Sequence, residues 1–177
     1  CSSSTRGIVA GGEAQDGTAE QNVIEYVTMA SAGNAANFGD LIADARGMGG
    51  CASPTRGVFA GYYNGTLFNT IQYITIASTG NSTDFGDLIE DGGTRYELPG
   101  CSNDTRGIFA GGFTGSTSVN IINYITIAST GNATDFGDLQ SGYRPYSHAA
   151  ASSSTRGVFA GGSDIFNGGI KHNIISY

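Results

Sequence analysis

The nine residues STRGVFAGG at 154–162 recur, with small changes, as STRGIVAGG at 4–12, PTRGVFAGY at 54–62 and DTRGIFAGG at 104–112. Their threonines, Thr5, Thr55, Thr105 and Thr155, are 50 residues apart each time. A fixed period of this length is the mark of a propeller, a solenoid or a linear array, in which one supersecondary unit stacks on its copies. Within the phrase, Val158, Phe159 and Ala160 are apolar in succession, with no polar alternation. That pattern suits a short strand covered on both faces, and the Gly161–Gly162 pair ends it in a turn.

A second phrase follows the first. It reads NVIEYVTMASAGNAANFGDL from Asn22, NTIQYITIASTGNSTDFGDL from Asn69 and NIINYITIASTGNATDFGDL from Asn120, and a fourth copy runs NIISY to Tyr177. β-branched and aromatic residues dominate its first half, which predicts a strand. Ile121, Ile125 and Ile127 point one way and Ile122, Tyr124 and Ala128 the other, so both faces read as buried. The turn-rich STGNATD links this strand to DFGDL as a hairpin. Small-residue segments before each Thr-Arg-Gly (MGGCAS, ELPGCS, YSHAAAS) supply one more short strand. The unit is then four antiparallel strands, a to d, buried on both faces, as a propeller blade requires. A parallel solenoid is the rival, but its coils return in fewer residues and need no doubly buried hairpins.

Composition narrows the function classes. Glycine supplies 29 of 177 residues, far above the usual share of about 7%, and the net charge is -7. Half of the eight basic residues are the repeated Arg6, Arg56, Arg106 and Arg156, so no basic patch remains for nucleic acid. No apolar run approaches the roughly 18 residues of a membrane span. Cys1 followed by three serines could be read as the lipid-bearing cysteine of a bacterial lipoprotein. The period offers a simpler account: Cys1, Cys51, Cys101 and Ala151 share one slot for a small buried side chain. Equivalent points on packed sheets lie about 10 Å apart, beyond the roughly 7 Å that a disulfide tolerates. Free thiols are therefore expected.

From Tyr143 to Tyr177 the chain resembles the kelch repeat: an arginine and a small-residue strand, a turn, an apolar strand closed by Gly-Gly, a variable loop, and a strand carrying tyrosine. The resemblance covers all four copies and rests on the glycine pair plus Tyr26, Tyr73, Tyr124 and Tyr177. It departs from kelch where Phe38, Phe85 and Phe136 stand for the last-strand tryptophan and where Gly61–Tyr62 replaces Gly-Gly. It implies an all-β fold, a β-propeller of about three and a half four-stranded antiparallel blades: 1–41, 46–88, 95–139 and an incomplete 146–177. The near-identical TIASTGN.TDFGDL copies are also similar to repeat proteins of marine bacteriophages, of virion or tail-fibre type. That likeness implies a virion or extracellular surface location.

Candidate chemistry is sparse. STDFGDL at 82–88 partly resembles the Asp-box of sialidase-type propellers, a hairpin-stabilising turn remote from catalysis, but Leu88 stands where an aromatic belongs. The recurring Asp40, Asp87 and Asp138 could offer oxygens to calcium, yet their spacing gives no defined ligand order. Ion pairing with the repeated arginines Arg6, Arg56, Arg106 and Arg156 is the simpler expectation. His148 and His172 lack metal-ligand spacing, and the copper site of galactose oxidase, which shares kelch architecture, cannot be assembled. No catalytic residue, metal or cofactor is therefore expected, and a glycan-cleaving propeller enzyme is a rival needing two carboxylates about 5 to 9.5 Å apart.

Loop lengths point to a binding face. The a–b and c–d joints have constant length, with Tyr to Phe 12 residues in each complete copy. The b–c loops hold nine, six, seven and ten residues, and the d–a links vary too. Both emerge at one end of an antiparallel blade, so one face varies on a fixed frame. It holds Tyr62, Tyr63, Phe68, Tyr96, Phe113, Tyr143, Tyr146 and Phe166, aromatics suited to sugar rings or protein hot spots. A cell-surface glycan or protein is the expected partner, with a purely architectural virion role as the alternative. Unpaired edge strands also predict a homo-oligomer or membership of a longer propeller.

Overall fold

The computed structural model describes residues 1–17, 19–89, 93–164 and 168–177. Each Thr-Arg-Gly phrase opens a strand, and each Asn-x-Ile-x-Tyr phrase pairs with it antiparallel. The first unit holds β1 (Arg6–Ala10), β2 (Gln21–Thr28) and β3 (Ala36–Ala45) in that order. The second is a four-stranded sheet of β4 (Gly49–Ala52), β5 (Arg56–Tyr63), β6 (Leu67–Thr75) and β7 (Thr83–Asp87). The third repeats it with β8 (Gly100–Ser102), β9 (Arg106–Ala110), β10 (Ile121–Thr126) and β11 (Thr134–Asp138). The fourth joins β12 (Ala149–Ser152), β13 (Gly157–Ala160) and β16 (Ile175–Ser176), with the small hairpin β14 (Ser163–Asp164) and β15 (Ile170–Lys171) between β13 and β16. The protein is thus all-β, built of antiparallel sheets of two to four strands in the order of the chain.

The core lies between the units. Along β5 and β6, Val58, Ala60 and Ile71 pack toward the third unit, while Phe59, Ile74 and Ile76 pack toward the first. Alternate side chains leave opposite faces of a strand, and both faces meet a neighbour. This is why the sequence shows no polar alternation. Each fully buried aliphatic or Phe side chain contributes about 1.5–3 kcal/mol, so most of the stabilisation resides at junctions.

Two glycines of the repeat are explained there. A Cβ on Gly57 would lie 2.9 Å from Cys1 Sγ, one on Gly107 2.5 Å from Cys51 Sγ, and one on Gly157 3.0 Å from Cys101 Sγ. The small slot of one unit thus presses on the Thr-Arg-Gly glycine of the next. The cysteines are free. Burial raises the Cys51 thiol pKa, with the Cys101 thiol adding to it, and burial pushes that of Cys101 up to about 11. The glycine of DFGDL has a different cause: Gly39, Gly86 and Gly137 all take positive φ (153°, 142° and 127°), and in the first two copies a Cβ would also collide with the backbone of the next unit at Gly80 and Gly131.

Hydrogen bonds tie the units in series. The Ser102 hydroxyl donates to Ala52 O at 2.7 Å, and the Ser152 hydroxyl donates to Ser102 O at 2.7 Å. The Glu97 N–H donates to Gly47 O at 2.6 Å, and the Ser147 N–H donates to Glu97 O at 3.1 Å. Glu97 and Ser147 take positive φ of 55° and 51° in the slot where the second unit has Gly47.

The repeated arginines differ from expectation. Among the described residues Arg6, Arg56, Arg106 and Arg156 do not pair with Asp40, Asp87 or Asp138, whereas Arg46, outside the repeated set, pairs with Glu13 and Glu20. Instead each guanidinium lies over a tyrosine of its own unit, 4.5 Å from the Tyr26 and Tyr73 rings, 4.6 Å from Tyr124 and 4.9 Å from Tyr177. Arg6 and Arg56 also donate across the junction, to Ile76 O at 2.6 Å and Ile127 O at 2.9 Å. The strand pairing sets this choice: Arg56 stands opposite Thr75 and Val58 opposite Tyr73, so arginine and tyrosine are near neighbours on adjacent strands.

Candidate functional site

The variable loops converge at one end, and four rings form a line there. Tyr63 closes β5, Tyr96 leads into β8, Phe113 follows β9 and Tyr146 leads into β12. Isolated bridges pair Arg46 with Tyr63, Tyr96 with Phe113 and Tyr146 with Ser163. Ring centroids lie 5.5 Å apart for Tyr63–Tyr96, 6.0 Å for Tyr96–Phe113 and 5.9 Å for Phe113–Tyr146. All four side chains are half-buried. The contacts alternate between and within units, so the line crosses three of them. At one end it continues into Arg46, whose guanidinium is 4.8 Å from the Tyr63 ring and pairs with Glu20 at 3.3 Å and Glu13 at 3.9 Å.

Such a row offers a half-buried aromatic surface that carries the phenol hydroxyls of three tyrosines. Partial burial raises the Tyr96 pKa, with Glu97 adding to it. Its hydroxyl, like that of any tyrosine at neutral pH, is protonated and can donate as well as accept.

The other aromatics named from the sequence lie elsewhere. Tyr62 is buried and stacks on Phe68 at 4.5 Å, within the core between the first two units. Tyr143 is fully buried and donates its hydroxyl to Gly161 O at 2.7 Å. Neither is open to a ligand: on β5 alternate residues face opposite ways, so Tyr62 turns into the core and Tyr63 out of it, while Tyr143, outside the strands, packs into the core with Leu139 and Phe159. Phe166 lies outside the described residues.

Sequence reasoning missed two groups. Arg46 occupies the slot 50 residues before Tyr96, and that period could have found it. Arg95 is fully buried, with Nη2 donating to Asn123 Oδ1 at 2.8 Å and with Nε and Nη1 unpartnered among the described residues. Burial lowers its pKa to about 10, which leaves it charged at neutral pH. No repeat announces it, since Ala45 and Pro145 fill the equivalent slots.

A concavity of about 810 Å³ opens away from the row of rings, between the third and fourth units, against Arg106, Phe136, Leu139, Ile175 and Tyr177. Among the described residues no group of three or more His, Cys, Asp or Glu is placed to hold a metal ion. Among those residues no helix is long and apolar enough to cross a membrane. Neither protein-family models nor curated proteins give a match to this chain.

Proposed function

We propose that this chain is a stretch of kelch-like β-propeller acting as a non-enzymatic recognition module, on a virion or other extracellular surface, whose ligand is a neutral cell-surface glycan. The line Tyr63–Tyr96–Phe113–Tyr146 carries the reading. Sugar rings present apolar faces that stack on aromatics, and phenols at the margin bond their hydroxyls. Tyrosines supply such contact area at small entropic cost. The line lies on loops of varying length over a repeated frame, where specificity can change without disturbing the core. A net charge of -7 disfavours anionic polymers. The carboxylates beside the line, Glu13 and Glu20, are held by one guanidinium, which favours binding over a pair of hydrolytic carboxylates.

Titration with panels of neutral and sialylated oligosaccharides, read by tyrosine fluorescence and NMR line broadening, tests this. A neutral ligand is expected, and Tyr96→Ala with Phe113→Ala should weaken it at least about tenfold, the loss of one hot-spot contact or more. Binding that survives this double variant, or a panel without any ligand, would overturn the reading.

A further inference from the structure

Three polar side chains without any exposure lie in the third unit: Arg95 before β8, Ser118 before β10 and Asn123 on β10. Arg95 Nη2 donates to Asn123 Oδ1 at 2.8 Å. Arg95 Nε and Nη1, Asn123 Nδ2 and Ser118 Oγ have no partner among the described residues. Ser118 is on the adjoining loop: the Val119 N–H donates to Gly112 O at 3.1 Å, and a Cβ on Gly112 would lie 3.6 Å from Arg95 Cδ. The second unit fills the same place without a cation. Tyr62 stands at the Gly112 position and stacks on Phe68. Gln72, the counterpart of Asn123, accepts at Oε1 from the Ser82 hydroxyl at 2.6 Å and the Ile42 N–H at 3.0 Å. The repeat therefore does not require a charge here, and Arg95 is particular to the third unit.

A buried guanidinium without a counter-charge is costly, because burial removes its water and nothing of opposite sign replaces it. Burial is what lowers the Arg95 pKa, with no carboxylate acting against it. Of the groups left over, the two arginine nitrogens and the asparagine amide can only donate, and the serine hydroxyl can donate too. A water would bring two hydrogens of its own and no charge. An acceptor with one negative charge answers both needs, and side chains with no exposure suit a monatomic ion better than a ligand with a body of its own. We propose that the third unit holds one small monovalent anion, chloride in a saline medium, at the Arg95 guanidinium, with the Asn123 amide and the Ser118 hydroxyl as further donors. The ion also braces the row of rings. Arg95 precedes Tyr96, and its carbonyl presses on the second unit, where a Cβ on Gly61 would lie 2.4 Å from Arg95 O.

An anion bound only by the folded chain makes stability follow its concentration. Urea unfolding of the full chain is measured in sodium chloride against sodium gluconate at matched ionic strength. Well above Kd, the folded-to-unfolded ratio should rise about tenfold for each tenfold rise in chloride. Asn123→Asp sets a carboxylate against the guanidinium, so it should flatten the chloride response and raise the urea midpoint in gluconate. Arg95→Met removes the charge and should flatten the response as well, with circular dichroism unchanged. Crystals grown in sodium bromide should show an anomalous peak beside Arg95. A flat response in the unmodified chain, whether or not Glu90→Gln with Asp91→Asn creates one, overturns the proposal. So does an equal response in the unmodified, Asn123→Asp and Arg95→Met chains, or bromide that is absent from Arg95.

Discussion

At the scale of single residues, the repeated phrases are contact surfaces as much as local structure. Gly107 is a glycine because Cys51 of the preceding unit occupies the place of its side chain, and no positive φ is involved. Gly107→Ala should therefore destabilise by about 1–3 kcal/mol through overpacking, and Cys51→Ala in the same chain should recover most of that loss. Urea unfolding of the single and double variants measures the coupling; additive effects would show that the two residues do not share the space. His148 makes a second case. It fills the inner slot held by Met48 and Leu98 in earlier copies, both ring nitrogens lack partners among the described residues, and burial lowers its pKa from 6.5 to about 4. The unfolded chain then takes up the proton first as pH falls. Stability from this group is full above pH 6.5 and is lost toward pH 4, by up to about 3 kcal/mol. His148→Leu should flatten that part of the pH–stability curve, and an unchanged slope would assign it to other groups.

At the scale of elements, the hairpin from the tyrosine strand to the DFGDL strand does more than turn the chain. In the second unit its Gly80 N–H donates to Phe38 O and its Ser82 N–H to Asp40 O, both at 2.8 Å, while Asn81 Oδ1 accepts from the Asp40 N–H at 3.0 Å. The third unit repeats the set on Phe85 and Asp87 through Gly131, Asn132 and Ala133. The hairpin tip is thus a clamp on the last strand of the preceding unit, and STGN recurs because that strand's backbone must be satisfied. Asn81→Ala should cost about 1 kcal/mol, the usual loss for one such bond. Asn34→Ala, in the exposed hairpin of the first unit, should change the urea midpoint negligibly in dilute protein. Equal losses at both positions would mean that asparagine serves its own turn and not the neighbour.

At the scale of the whole molecule, stability is nearest-neighbour in character, and the units do not share it equally. The second and third units are covered on both faces, whereas the first and fourth each have one open face, so protection from hydrogen exchange should be graded. Amides of β5, β6, β9 and β10 should exchange slowest, and those of β13 and β16 fastest among paired strands. Uniform protection would show that the array opens as a single cooperative unit.

The sequence by itself determined the antiparallel strands, their order, the four-fold period and the end at which the variable loops gather. Those follow from local pattern and from a 50-residue repeat, which any single copy of STRGVFAGG displays to the next. It also marked out Tyr63, Tyr96, Phe113 and Tyr146. It did not separate them from Tyr62, because one step along a strand exchanges core for surface and only the register of pairing says which residue points where, nor from Tyr143, whose connecting segment folds back into the core. Nor did it place the arginines. Charge alone suggested the DFGDL aspartates, but the strand pairing puts each guanidinium over a tyrosine and, for Arg6 and Arg56, within reach of a carbonyl in the next unit. Tertiary structure decided these points because what one copy's residues touch depends on how the next copy stacks against them.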